Sequence, residues 1–98
     1  MHDLAIQIVN YKTKKYLKEC LETILDDLRG SDLNYQINVL DNDSGDDLSD
    51  LEKIHLPIGR INFYRSEKNL GFGGGHNLLA QKAQTKYLLI LNPDTKVI

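Results

Sequence analysis

A chain of 98 residues with 41% hydrophobic and 27% charged side chains has the composition of one soluble globular domain, neither disordered nor fibrous. Its formal net charge of -2 supplies no global field for nucleic acid or an anionic membrane, so a nucleotide ligand needs local help from backbone N–H groups, a metal ion or placed cations. The single Cys20 excludes an intrachain disulfide, no apolar run approaches the roughly 20 residues of a membrane span, and no secretory pattern opens the chain, so the expected location is cytoplasmic.

Leu4 to Val9 is an apolar run broken only by Gln7 and predicts an interior strand. Leu17, Cys20, Leu21, Ile24, Leu25 and Leu28 form one stripe of a helix over 14–28, with Gly30 as its stop. Tyr35, Ile37 and Val39 alternate with Gln36 and Asn38 in a second strand that ends at Asp41. Asp43-Ser44-Gly45 offers turn and capping chemistry for a short helix over 46–54, with Asp46 and Asp47 as first-turn residues favoured by the helix dipole. Pro57-Ile58-Gly59 breaks the chain. Ile61 to Tyr64 then reads as a third strand. The glycine-rich stretch 71–75 leads into a helix carrying Leu78, Leu79, Ala80 and Ala83. Tyr87 to Leu91 is wholly apolar, too short for a helix and consistent with a sheet interior, and Pro93 ends it. The alternation is βαβαβαβ, which implies a mostly parallel sheet in a single α/β domain over 1–98.

In such sheets ligands bind outside the carboxyl ends of the strands, and the polar clusters of this sequence lie there. Tyr11 offers a ring that could stack on a base while backbone groups of Val9 and Asn10 read its edge; the alternative is a strand-end turn followed by solvated lysines. Asp41 is a candidate to accept from a base N–H or a ribose hydroxyl, because Asp43 and Ser44 already cover helix capping. Gly71, Gly73, Gly74 and Gly75 each cost roughly 0.5–1 kcal/mol against alanine in regular structure. They suit a sharp turn or a close approach to a ligand, and they open a helix whose N–H groups could meet a phosphate; a flexible turn is the plainer alternative. With His76 at the third glycine position, the run is not the dinucleotide fingerprint, and it is not a phosphate loop. His76 and Asn77 suit a helix start, or His76 a hydrogen bond to a phosphate or sugar hydroxyl. Asn92-Pro93-Asp94 is either an ordinary turn or a device that projects Asp94 into the crevice, where one carboxylate with diphosphate oxygens and waters can hold a divalent ion.

Taken together, Val9-Asn10-Tyr11, Leu40-Asp41-Asn42-Asp43-Ser44, Asn69 through Asn77 and Leu91-Asn92-Pro93-Asp94 resemble the motifs of family 2 glycosyltransferases of the GT-A fold, especially the rhamnosyltransferase-like branch. The resemblance implies a nucleotide-diphospho-sugar partner, UDP or dTDP being the carriers, and inverting transfer of a sugar (rhamnose in that branch) to a hydroxyl acceptor. Val9, Asn10 and Tyr11 would border the nucleobase and Asp41 would bond to its ring nitrogen. Asn69, Gly71 and Gly75 would shape the loop beside ribose and diphosphate, with His76, Asn77 and Asn92 nearby. Asp94 would reach Mg²⁺ or Mn²⁺ beside the diphosphate. The implied architecture is a three-layer Rossmann-like fold, the nucleotide-binding half of GT-A, with about four strands in the order 3-2-1-4.

Two departures stand out. Gly75-His76-Asn77 replaces the Ala-Arg-Asn of many relatives, exchanging a fixed cation for a titratable ring. Asn92 replaces the first carboxylate of the family's metal motif. The family's acceptor region and catalytic base follow that motif, and no residue here matches the base, so donor binding without turnover is expected of this chain. An exposed fourth strand is expected to promote self-association. The rival class is a non-catalytic flavodoxin-like or receiver-like α/β module, which leaves the glycine run and Asn92-Pro93-Asp94 unexplained.

Overall fold

The computed structural model describes residues 3–28, 30, 32–52, 61–83 and 85–93. Four strands, β1 (Leu4–Asn10), β2 (Tyr35–Asn42), β3 (Ile61–Ser66) and β4 (Tyr87–Leu91), form one sheet in the order β3-β2-β1-β4. Every pairing is parallel: Ile6 lies opposite Ile37 on one side and Leu89 on the other, and Val39 lies opposite Phe63. Three helices, α1 (Lys14–Leu28), α2 (Ser49–Glu52) and α3 (Gly71–Lys82), alternate with the strands.

Successive strand residues point to opposite faces, so β1 divides its side chains between two cores. On one face Ile6, Ile8, Ile37 and Val39 pack with Leu17, Cys20, Leu21 and Ile24 of α1 and with Leu48 and Leu51 beside α2. The three- and four-residue spacing of the α1 positions places them on one stripe. Each buried Leu or Ile contributes about 1.5–3 kcal/mol. Removing most of one, as in Leu17→Ala, costs about 2–5 kcal/mol because the cavity closes only in part. On the other face α3 lays Leu79 against Val9 and Leu40. Helices on both faces make three layers, as the alternation of elements implied.

The α3 face is more polar than a sheet interior usually is. Gln7 and Asn38 are fully buried there. Asn62 donates to Asn38 Oδ1 at 3.0 Å, and Asn38 donates to Gln36 Oε1 at 3.1 Å. The Gln7 carboxamide meets the α3 backbone, its nitrogen donating to the His76 carbonyl at 3.3 Å and its oxygen accepting from the Ala80 N–H at 3.1 Å. Buried amides satisfied in this way cost little, whereas breaking one link strands the others.

Three local expectations change. The second helix starts at Ser49, not at Asp46: the Asp46 N–H donates to Ser44 Oγ at 3.0 Å and Asp47 Oδ1 accepts from the Ser49 N–H at 3.0 Å. The two acidic residues therefore precede the helix and serve its approach rather than filling its first turn. Residues 53–60, with the far end of that predicted helix and the Pro57-Ile58-Gly59 break, lie outside the described residues. The third strand runs on to Ser66, because it stays in register with β2 as far as the Asn42–Ser66 pair. The glycine run lies within α3 rather than before it. As the order 3-2-1-4 requires, β4 lies at the edge although its wholly apolar sequence is also that of a buried strand: among the described residues it pairs with β1 alone, and Tyr87, Leu88, Leu89 and Ile90 are 44–67% exposed.

Candidate functional site

At the carboxyl ends of the strands a cleft of about 260 Å³ is lined by Val9, Tyr11, Thr13, Asn42, Asn69, Gly71, Phe72 and Pro93. A broader depression beside it shares Thr13 and Pro93 and adds Tyr16 and Asn92. Three separate strand-to-helix connections and the end of β4 thus meet in one place.

The strand ends beside the cleft carry a buried polar network. Asn10 ends β1 fully buried; its Nδ2 donates to Asp41 Oδ1 at 2.9 Å and reaches Asp46 Oδ2 at 3.1 Å, while its Oδ1 accepts from Thr13 Oγ1 at 2.8 Å. Thr13 in turn starts α1, its carbonyl accepting from the Leu17 N–H at 2.8 Å. Asp41, opposite Asn10 in register, is also buried, and Ser44 Oγ donates to the same Oδ1. Asp41 Oδ2 is the oxygen that neither Asn10 nor Ser44 uses, and Arg65 Nε stands 3.8 Å from it. This arrangement offsets much of the cost of burying a carboxylate, with Arg65 as the ion-pair partner of Oδ2.

One wall follows β1. Tyr11 is 43% exposed, and the Lys12 ammonium lies 5.2 Å from its ring centroid. Lys12 takes a left-handed φ of 58°, uncommon for a residue with a side chain, where the chain turns from strand to helix. The opposite wall is the turn from β3 into α3. There Asn42 Oδ1 accepts from the Leu70 N–H at 2.8 Å, Asn42 Nδ2 donates to the Gly71 carbonyl at 3.0 Å, and Asn69 Oδ1 accepts from the Gly71 N–H at 2.7 Å. Gly71 has a φ of +74°, a region open to glycine and costly for other residues.

The glycines further along serve packing. A Cβ on Gly75 would lie 3.0 Å from Val9 Cγ2 and 3.3 Å from Leu40 Cδ2, so its absence lets the helix sit down on the two strand ends. His76 is likewise turned inward and only 5% exposed. Its Nδ1 stands 3.3 Å from the Gln7 carboxamide, and its ring meets the Phe72 ring at 4.5 Å between centroids. Burial holds the imidazole below its ordinary pKa of 6.5, favouring the neutral ring. Its Nε2 has no hydrogen-bond partner among the described residues.

Of the positions singled out from the sequence, Val9, Tyr11, Asn69 and Gly71 line the cleft, while Asn10 and Asp41 are buried at the neighbouring strand ends and are not among its lining residues. Gly75 and His76 are on the sheet-facing side of α3 and are not among the cleft's lining residues, Asn77 is exposed on that helix, and Asn92 borders the adjoining depression. Asp94 lies outside the described residues. Sequence reasoning passed over Asn42, Thr13, Phe72 and Pro93 as lining residues. For Asn42 the signal was its place beside Asp41 at the strand end, and for Phe72 its place inside the glycine run; neither revealed which loop the side chain would meet.

The chain matches the family described as Glycosyl transferase family 2 over residues 5–97. No curated protein matches it. Among solved structures it is similar to S. aureus TarS 1-349, with 22% identity over 94% of this chain and a TM-score of 0.77. It is also similar to TarS 1-349 in complex with UDP (22% identity, 94% of this chain, TM-score 0.78) and with UDP-GlcNAc (19% identity, 94% of this chain, TM-score 0.78). The chain spans about a quarter of those structures' length, 26–27%. The likeness is one of fold, the Rossmann-like parallel sheet of GT-A proteins in the order β3-β2-β1-β4. With the family matched over nearly its whole length, the chain belongs to glycosyl transferase family 2.

Proposed function

We propose that the carboxyl-end cleft holds the nucleotide and diphosphate of a nucleoside diphosphate sugar, UDP or dTDP being the carrier. The observation that carries this reading is the convergence of Val9 and Tyr11 from β1 with Asn69, Gly71 and Phe72 from the β3–α3 turn on one cleft. The fold likeness to TarS, which has been solved with UDP and with UDP-GlcNAc, supports it. Tyr11 offers a ring face for the base, and Asp41 Oδ2 is the acceptor for a base N–H, held in place by Asn10 and Ser44 through the other oxygen.

The reaction proposed is inverting transfer of the sugar to a hydroxyl acceptor, and the motif resemblance favours rhamnose as that sugar. Among the described residues no three His, Cys, Asp or Glu side chains gather as a metal-ligating group. The proposed divalent ion, Mg²⁺ or Mn²⁺, is held by Asp94 with oxygens of the donor. When bound, it would offset the charge of the diphosphate leaving group.

Calorimetric titration with UDP and dTDP, each with and without Mn²⁺, tests the reading. Saturable binding strengthened by Mn²⁺ and weakened in Asp94→Ala is expected. Absence of heat with either nucleotide overturns donor binding, and Mn²⁺-dependent binding unchanged in Asp94→Ala overturns the metal assignment.

A further inference from the structure

The last residue of β2 acts on a loop 28 residues further along the chain. Asn42 is 2% exposed, and both ends of its carboxamide are spent on the turn that opens α3: Oδ1 on the Leu70 N–H at 2.8 Å and Nδ2 on the Gly71 carbonyl at 3.0 Å. The helix has no side-chain cap at Leu70, so the tie from the sheet stands where a capping residue would normally act. Gly71, at a φ of +74°, and Asn69, through its 2.7 Å bond to the Gly71 N–H, complete a tightly specified turn. Asn42 lines the cleft together with Asn69, Gly71 and Phe72, the residues of the wall it ties down.

We infer that Asn42 is a positioning residue for nucleotide binding, clamping the Asn69–Phe72 wall at the spacing that accepts the ligand. The inference rests on the proposed donor site. Without the clamp the turn has to be ordered by the ligand, and that ordering is subtracted from affinity. Asparagine suits the task because it donates and accepts from one planar group. Aspartate keeps the acceptor for the Leu70 N–H but turns a second oxygen toward the Gly71 carbonyl.

The test compares the full chain with Asn42→Ala, Asn42→Asp and Asn62→Ala, following UDP affinity in the presence of Mn²⁺, amide exchange at Leu70 and the urea midpoint. Asn62 is the comparison because it also belongs to a carboxamide link, to Asn38 within the sheet, and does not line the cleft. Asn42→Ala is expected to speed Leu70 exchange and to weaken UDP binding about tenfold, with Asn42→Asp intermediate and Asn62→Ala within about twofold of wild type. Equal UDP affinity in Asn42→Ala and wild type overturns the inference. So does an equal loss in Asn42→Ala and Asn62→Ala, the mark of a merely structural effect. If Asn42→Ala does not fold, Asn42→Asp decides: wild-type affinity there overturns the inference. A wild type that ignores UDP sinks the donor reading, and Leu70 exchange then decides the clamp, supported if Asn42 substitution speeds it and overturned if it does not.

Discussion

Gly75 packs on Val9 so closely that a β-carbon there would stand 3.0 Å from Cγ2 and 3.1 Å from Cγ1 of the valine. Val9 is β-branched, with little rotamer freedom to yield, and it borders the cleft. Gly75→Ala must therefore lift α3 or displace the strand end. The crowding costs about 1–3 kcal/mol and outweighs a helix-propensity gain of about 1 kcal/mol. Gly73 lies in the same helix with open space where its Cβ would go, so Gly73→Ala keeps that gain and stabilises by about 0.4–1 kcal/mol. Urea denaturation of the two variants should shift in opposite directions.

This pair also shows where the sequence was legible. Parallel pairing followed from the alternation of elements and the α1 stripe from apolar periodicity, since Leu17, Cys20, Leu21 and Ile24 share one face; the strand order was what the family resemblance implied. The glycine run was misplaced because low helix propensity marks a turn only when packing does not override it. Here contact with Val9 and Leu40 excludes larger residues at Gly75. His76 suits a helix start or a hydrogen bond to a phosphate or sugar hydroxyl, yet it is turned toward the sheet with Nδ1 3.3 Å from the buried Gln7 carboxamide. The clamp made by Asn42 depends on a contact across 28 residues, which no local pattern encodes. The edge position of β4 was foreseen in its consequence but not in its composition, which reads as a buried strand.

The buried polar network at the strand ends is expected to be sensitive to Asn10. Truncation to alanine leaves Thr13 Oγ1 without its acceptor and the buried Asp41 Oδ1 with one donor fewer. Asn10→Ala should cost about 1–3 kcal/mol, read as a lower urea midpoint. Ser44→Ala, which removes the other donor to Asp41 Oδ1, should add less than the sum of the two single losses, because both act on one carboxylate.

Stability should fall on mild acidification. His76 has a pKa lowered by burial from its ordinary 6.5, so between 6.5 and its folded value the unfolded chain binds more protons than the folded one. The stability associated with the neutral ring is present above 6.5 and is lost as pH drops through the folded pKa. Asp47, lowered by its hydrogen bonds with Ser49, and Asp50, lowered by its bond with Lys14, act in the same direction only below about 3.8, their ordinary value. Urea midpoints measured from pH 7.5 downward should show the histidine loss first, and His76→Gln should remove that first step while leaving the acid limb.

The exposed side chains of β4 make a separate prediction. Leu88 and Ile90 pair with Ala5 and Gln7 and are 47% and 51% exposed. An apolar edge strand of this kind invites pairing with a second copy. Light scattering should find association rising with concentration, and Ile90→Lys should suppress it; a wild type monomeric throughout would remove the case for self-association.

The central claim, that the nucleotide sits at the carboxyl ends of the strands, is tested most directly by mapping amide chemical shifts during titration with UDP and Mn²⁺. The account predicts saturating shifts confined to the lining segments, at Val9 to Thr13, Asn42 and Asn69 to Phe72, with residues of α1 beyond Tyr16 unmoved. Shifts centred on the opposite end of the sheet, or none at saturating nucleotide, would contradict it.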